Sequence, residues 1–172
     1  MILPKIRDKR FITIRRGGSL SDDDHRLLAV WAAQCAERVL HFFEDVRPTD
    51  DRPRRAVELT RSWVRGEITM PEARVAAFHS NAAAREVTGP AKLAAYSAGQ
   101  AVAVAHVAAH YLGAAAYAIK AVRVANEKTN SPDIEGIEWK WQIEQLPLEL
   151  RELVMEDQKN RNAICWNTFH AS

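Results

Sequence analysis

The chain has 172 residues, of which 47% are hydrophobic and 27% are charged, and its formal net charge is +2. This length suits one domain with a substantial hydrophobic core, and the composition excludes a disordered chain, a collagen and a coiled-coil stalk. The small net charge argues against a general attraction to nucleic acid or to an anionic membrane. With only two cysteines, the chain is not a disulfide-stapled secreted mini-domain.

The first residues of the chain are basic but lack the apolar run of a secretory signal. No stretch of about 18 consecutive apolar residues predicts a transmembrane helix. Cys35 and Cys165 lie far apart and lack the neighbours of a metal or redox motif, which suits free thiols in a reducing compartment. The sequence therefore predicts a cytoplasmic protein with no membrane partner.

Two regions are predicted: a basic, extended N-terminal segment over residues 1–20 and a single all-helical domain over residues 21–172. Within the segment, residues 11–14 form a short β-favouring run that Gly17 and Gly18 close with a turn signal. One strand cannot form a sheet alone, so this run is expected to be an isolated extended piece.

From residue 21 onward, apolar residues recur at helical spacing and predict an all-α bundle of six or seven helices. Most of these helices begin at a serine, aspartate or threonine suited to capping. The predicted helices span residues 21–45, 51–66, 69–89, 91–126, 133–145 and 147–162. The fourth would be roughly 50 Å long as one straight helix, too long for a compact domain of this size. We therefore expect a break between Val104 and Gly113.

Alanine dominates the middle of the chain, with 21 of its 28 copies in residues 73–125. Because alanine favours helices and has a small side chain, the helices there are expected to approach closely. Larger side chains are expected to fill the remaining space, namely Trp31, Phe42, Trp63 and Phe78. In the helix predicted over residues 69–89, the inward face is expected to hold Val75, Phe78 and Ala82.

His106 and His110 form the first candidate site, because a spacing of four places two imidazoles on one helix face. In a continuous helix, Tyr117 and Lys120 share that face and complete a candidate polar stripe. The three residues between the histidines are Val-Ala-Ala, so the glutamate of a zinc-protease helix is missing. A metal pair or an acid–base site would thus need further groups from elsewhere. We expect no metal here, and polar side chains that bond across the bundle or face a partner.

Motifs of enzymatic chemistry are missing from the sequence. It contains no GxSxG, no phosphate-binding loop, no GxGxxG and no paired CxxC. Cys35 lies in an apolar helical context that favours an inert thiol over a nucleophile. The sequence therefore predicts no enzyme, no catalytic residue and no cofactor.

The N-terminal segment is strongly basic, since Asp8 is the single acid among six basic residues. Those residues are Lys5, Arg7, Lys9, Arg10, Arg15 and Arg16. With Phe11 nearby, such a patch is suited to gripping phosphates, although many charge runs are merely solvated tails. This patch supports an alternative function, a helical protein associated with nucleic acid.

Residues 131–157 have the opposite bias, with eight acids and two basic residues for a net charge of −6. Trp139 and Trp141 stand in this stretch, and aromatic side chains within a charged rim are typical hot spots of protein interfaces. The candidate partner surface comprises Trp139, Trp141, Glu135, Glu138 and Glu144. The alternative is that one tryptophan packs on the core while the other covers it.

Five segments along nearly the whole chain carry a family resemblance. They are RRGGSLSDDDHRLLAVWAAQCAERVL (15–40), DRPRRAVELTRSWVRGEI (51–68), AAFHSNAAAREV (76–87), SAGQAVAVAHVAAHYLGAAAYAIKAV (97–122) and EWKWQIEQLPLELRELV (138–154). In this order they resemble the immunity-five-like family of immunity proteins from bacterial polymorphic-toxin systems. The resemblance implies an all-helical cytoplasmic protein that binds and neutralises a cognate toxin protein by stoichiometric contact. It implies no catalytic residue, because the matching segments are helical signatures.

Two functional classes therefore stand beside each other, an antitoxin that occludes a toxin and a nucleic-acid-associated protein. The missing global positive charge makes nucleic acid the less favoured partner. Salt distinguishes the two classes, because phosphate binding weakens steeply with salt and a packed protein interface much less. Whether the chain also forms a homo-oligomer is left open.

Overall fold

The computed structural model describes residues 2–129 and 133–170, and eight α-helices lie within them. These helices are α1 (Asp22–Val39), α2 (His41–Glu44), α3 (Arg52–Val64), α4 (Met70–Arg85), α5 (Gly89–Ala103), α6 (Tyr111–Ala125), α7 (Ile134–Glu144) and α8 (Leu148–Arg161). Short 3₁₀ turns cover Lys9–Phe11, Ile14–Arg16, Ala108–His110 and Ala163–Cys165. No strand is found in the described residues, so the predicted all-α class is confirmed.

The helix count exceeds the predicted six or seven because the first predicted helix is interrupted. α1 ends at Val39, and the chain continues after Leu40 as the four-residue α2. In α2, Phe43 is fully buried, whereas Phe42 is only half-buried. Phe42 nevertheless packs against the core, as expected.

Helix starts follow the predicted caps in two cases. The Ser21 hydroxyl accepts a hydrogen bond from the backbone N–H of Asp24 and begins α1. Thr69 and Glu72 form a reciprocal capping box that begins α4. Such caps satisfy backbone N–H groups that have no partner inside the helix.

α5 is the central helix of the bundle, in contact with α1, α2, α3, α4 and α6. Its buried face consists largely of alanine, which lets the neighbouring backbones come close. Two buried serines link the layers, because Ser80 on α4 donates to the carbonyl of Ala95 and Ser97 donates to that of Ala114 on α6. This packing agrees with the predicted close approach of the alanine-rich helices.

The inward face of α4 differs from the predicted one. Val75 is 50% exposed and Phe78 is 57% exposed, whereas Ala73, Ala76 and Ser80 are buried. The close contact with α5 leaves room only for small residues such as alanine and serine, so the large apolar side chains stand on the outer face. Hydrophobicity alone selected Val75 and Phe78, and that choice was wrong.

The predicted break in the long helical run is confirmed. α5 ends at Ala103 and α6 begins at Tyr111, with an extended Val107 between them (φ −140°, ψ 104°). Carbonyls freed at the break find side-chain donors from distant parts of the chain. His25 Nε2 lies 2.6 Å from the Val104 oxygen, and Arg16 Nη1 donates to the His106 oxygen at 2.8 Å.

The N-terminal segment packs onto the helices, and its extended backbone is confined to Ile12 and Thr13 of the predicted run 11–14. Residues 9–11 and 14–16 make 3₁₀ turns, and the bridge between Thr13 and Leu20 is isolated. Phe11 is buried and stacks on Tyr111, with ring centroids 5.1 Å apart. This docking brings the N-terminal arginines beside the break between α5 and α6.

Candidate functional site

A cleft of about 530 Å³ opens where the N-terminal segment meets the break between α5 and α6. The start of α1, the end of α3 and the start of α4 complete its walls. We call it the basic cleft, defined by Arg7, Arg15, Arg16, His25, Trp63 and His106. The break between α5 and α6 makes room for this cleft. In a continuous helix, His106 would follow the helix axis and would not line the cleft.

His25 fixes the inner wall of the basic cleft. It lies in the first turns of α1, is 6% exposed, and is positioned by its contact with the Val104 carbonyl. Since a carbonyl only accepts, His25 Nε2 carries the hydrogen of this bond. The Trp63 ring packs against the imidazole at 4.9 Å between centroids. Burial lowers the pKa of His25, which keeps the ring neutral and suited to this arrangement.

His106 lies in the break itself and is partly buried, with its ring 5.3 Å from that of His110. His106 Nδ1 is buried and has no hydrogen-bond partner in the described part of the chain. Burial lowers the pKa of His106, and the positive charges of Arg74, Arg16 and Arg7 lower it further. The buried Nδ1 of His106 is thus left without a bond in the described residues.

His110 is partly buried and forms a hydrogen bond inside the bundle. Its Nδ1 lies 2.8 Å from Oε1 of Gln100 on α5. Burial, helped by the charges of His106, Arg161 and Arg7, lowers the pKa of His110 to about 4. The side chain is therefore neutral at physiological pH.

Three arginines supply the positive charge of the basic cleft. Arg16 is bonded to the His106 carbonyl, and Arg15 pairs with Asp22 at 3.0 Å on the exposed rim. Arg7 is exposed and makes no hydrogen bond to any residue within 2–129 or 133–170. The side chains that line the cleft include no aspartate or glutamate. Within the described residues, Arg7 and Arg16 have no acidic partner, and their charges create a positive potential suited to an anion.

The candidate polar stripe is divided by the break. His106 and His110 remain neighbours, whereas Tyr117 and Lys120 lie farther along α6 and contact Trp166. The Tyr117 ring meets Trp166 edge-on at 4.9 Å, and Lys120 Nζ lies 3.9 Å from the centre of the indole. The four side chains therefore do not form one continuous stripe.

The two tryptophans of the candidate partner surface are partly buried and engaged within the chain. Trp139 Nε1 donates to Oε1 of Gln158 at 2.9 Å. The Trp141 ring lies under the guanidinium of Arg38, 4.1 Å from its centre. Both side chains already have partners inside the molecule.

The three glutamates of that surface have different environments. Glu138 is 4% exposed and pairs with Arg38 at 2.7 Å, so it does not belong to an exposed surface. Glu135 is partly buried and pairs with Arg123 at 2.6 Å. Glu144 is exposed. The pattern of acids in the sequence could not show which arginines reach them from other helices.

Sequence reasoning singled out the N-terminal arginines and His106, and missed His25, Trp63 and Arg74 as their neighbours. A spacing of three places His25 on the same face as the buried Leu28, which is a signal for an inward histidine. Nothing in the sequence connects residue 25 with residue 104. That contact depends on how the helices pack.

No group of three histidine, cysteine, aspartate or glutamate side chains suited to a metal ion occurs in the described residues. The expectation that His106 and His110 bind no metal stays a prediction. Across residues 2–129 and 133–170, no helix combines the length and apolarity needed to cross a membrane.

The fold and the basic cleft define an all-helical protein with arginine and histidine side chains around a cleft. A family model described as Imm-5 like putative immunity protein matches residues 18–149. The chain therefore belongs to this family of immunity proteins. No curated protein and no solved structure matches the chain.

Proposed function

We propose that this protein is an antitoxin that neutralises the cognate toxin of a bacterial polymorphic-toxin system by stoichiometric binding, without turnover. The observation that carries the proposal is the family match over residues 18–149, which covers α1 to α7 and the break. A closely packed helical bundle is compatible with this role, because its surface is preformed.

The basic cleft supports a binding role. A protein interface of standard size buries about 800 Å² on each partner, and its affinity depends on a few well-placed side chains. Arg7 and His106 Nδ1 offer bonding capacity that the described residues do not use. Arg16 is held by the His106 carbonyl, so this side chain loses little conformational entropy on binding.

The bacterial cytoplasm is the proposed place of action. Cys35 and Cys165 are free, buried thiols in the structure. Burial raises the pKa of both thiols, which makes them unreactive. Free structural thiols suit a reducing compartment.

The test is co-expression with the toxin encoded beside the gene for this protein. We expect cells to survive with both proteins and to die with the toxin alone. With purified proteins, toxin activity should fall linearly and reach its floor at one equivalent, because each bound copy blocks one toxin.

Two outcomes contradict the proposal. Equal survival with and without this protein excludes immunity. Complete inactivation of the toxin by a small fraction of one equivalent indicates turnover and excludes stoichiometric blocking.

A further inference from the structure

We propose that the basic cleft is the contact site for carboxylate side chains of an acidic segment of the toxin. This inference rests on the proposed function and adds to it the position and chemistry of the contact. Much of the cleft wall lies outside the region matched by the family model, because Arg7, Arg15 and Arg16 precede residue 18. This part of the site is therefore defined by this chain's own residues and not by the family match.

The basic cleft carries positive charge. Arg7, Arg15 and Arg16 converge on the cleft from one segment, and Arg74 on α4 lies close enough to act on His106. None of the lining residues is an acid; Asp22, at the start of α1, pairs with Arg15 at 3.0 Å and its charge acts on His25, which leaves Arg7 and Arg16 without an acidic partner in the described residues. A guanidinium presents paired N–H donors that match the two oxygens of a carboxylate.

Two residues of the basic cleft have unused hydrogen-bonding capacity. Arg7 has no hydrogen-bond partner among the described residues, and His106 Nδ1 is buried without one. Buried polar atoms in proteins nearly always have partners, so each exception needs an explanation. An anion in the cleft supplies an acceptor for Arg7, and its charge favours a protonated His106.

The aromatic rings of the basic cleft distinguish carboxylates from nucleic acid as its ligand. Proteins that hold single strands stack bases on free aromatic faces. In the basic cleft, Phe11 is buried and stacked on Tyr111, and Trp63 packs on His25. A volume of about 530 Å³ accommodates several side chains of a protein partner. The engaged rings therefore favour an acidic protein segment over single-stranded nucleic acid.

The first experiment titrates the full chain with hexaglutamate and follows the ring signals of His106 and Trp63 by NMR. We expect shifts at these two residues and a rise in the pKa of His106, because a nearby anion stabilises the imidazolium. A merely structural cleft would show neither change.

Matched variants locate the binding. Arg7→Gln/Arg15→Gln removes two charges from the cleft, and both side chains are exposed, so folding should be unaffected. The control Arg55→Gln/Arg85→Gln removes two exposed charges elsewhere, with Arg85 about 22 Å along α4 from Met70 at the cleft. We expect the cleft variant to weaken hexaglutamate binding about tenfold and the control to stay near the wild type.

Two further probes decide the source of the anion. A thymidine oligonucleotide that binds more tightly than hexaglutamate, and loses binding in the cleft variant, overturns the proposal in favour of nucleic acid. Inorganic phosphate that displaces hexaglutamate at equal concentration indicates an unselective anion site and also overturns it. Hexaglutamate that leaves the His106 and Trp63 signals unmoved overturns it directly.

The toxin protection assay separates this inference from the proposed function. Protection by the wild type and the control, but not by the cleft variant, supports both. Equal protection by all three proteins overturns the cleft as the contact site while the immunity function stands. If the wild type fails to protect, the immunity function fails, and the hexaglutamate titration alone decides whether the cleft binds carboxylates.

Discussion

Arg161 is a buried cation that connects the N-terminal segment, the break and α8. It is 4% exposed, pairs with Asp157 at 3.0 Å, and donates to the carbonyl oxygens of Ile2 and Ala109. Tyr111 donates its hydroxyl hydrogen to the same carboxylate at 2.6 Å. Buried charges are stable only when paired and hydrogen-bonded in this way. The cluster therefore holds the wall behind the basic cleft.

Arg161→Met should destabilise the fold strongly, because it leaves the Asp157 carboxylate and two carbonyls without this donor. Breaking a buried ion pair by removing one partner costs about 3–5 kcal/mol. Urea denaturation followed by circular dichroism measures the change. The control Lys159→Met removes an exposed cation two residues earlier and should have little effect. A loss below about 1 kcal/mol for Arg161→Met would show that the cluster is not structural.

The neutral His110 makes the fold sensitive to acid. Its folded-state pKa is about 4, below the ordinary value of 6.5. Between these values the unfolded chain binds a proton that the folded chain does not. The free energy of unfolding should therefore fall as pH drops from 6.5 to about 4, by at most about 3 kcal/mol from this residue. Denaturation curves across this range measure the slope.

The variant His110→Gln should reduce that slope, since it removes the titrating group. His25 and His106 also have lowered pKa values, so part of the acid sensitivity will remain. The control His41→Gln changes an exposed histidine and should leave the slope as in the wild type. An unchanged slope in His110→Gln would contradict the burial assigned to this side chain.

At the scale of elements, local signals determined where helices start and stop. The Ser21 and Thr69 caps lie at the predicted positions, and Gly66 follows the end of α3. The break was predictable because a single helix over residues 91–126 would be too long for the domain. Each of these signals depends on neighbours in sequence or on overall size.

The faces of the helices were less predictable, because a tertiary contact decides them. α4 buries alanines against α5 and exposes Phe78, whereas its hydrophobic pattern pointed the other way. The candidate site shows the same limit. The histidine spacing and the basic segment were visible in the sequence, but their meeting depends on the His25–Val104 and Arg16–His106 contacts.

Close packing between α5 and its neighbours should make that helix intolerant of larger side chains. Ala98 is fully buried on α5, so Ala98→Leu inserts three carbons into a filled space. Overpacking of this kind costs about 1–3 kcal/mol. The control Ala163→Leu makes the same change at an exposed position and should have little effect. Equal melting temperatures for both variants would contradict the packing of α5.

At the scale of the whole molecule, two regions of opposite charge offer themselves to a partner. The basic cleft is lined by three arginines, of which Arg7 has no partner in the described residues, whereas residues 131–157 carry most of their charge in acids and hold Trp139 and Trp141. The internal contacts of both tryptophans leave less of them available than the sequence suggested. This difference favours the cleft as the toxin contact, and the tryptophan surface stays a prediction.

Trp141→Ala distinguishes the two surfaces. If the cleft contacts the toxin, this change removes only the stacking with Arg38 and should alter the dissociation constant less than about twofold. Association of the wild type should slow as salt rises, because the arginines attract an acidic partner, and Arg7→Gln/Arg15→Gln should flatten that dependence. Surface plasmon resonance with the immobilised toxin measures both. A hot-spot tryptophan would instead cost about 2 kcal/mol, roughly a thirtyfold loss of affinity, and that result would place the contact on the tryptophan surface.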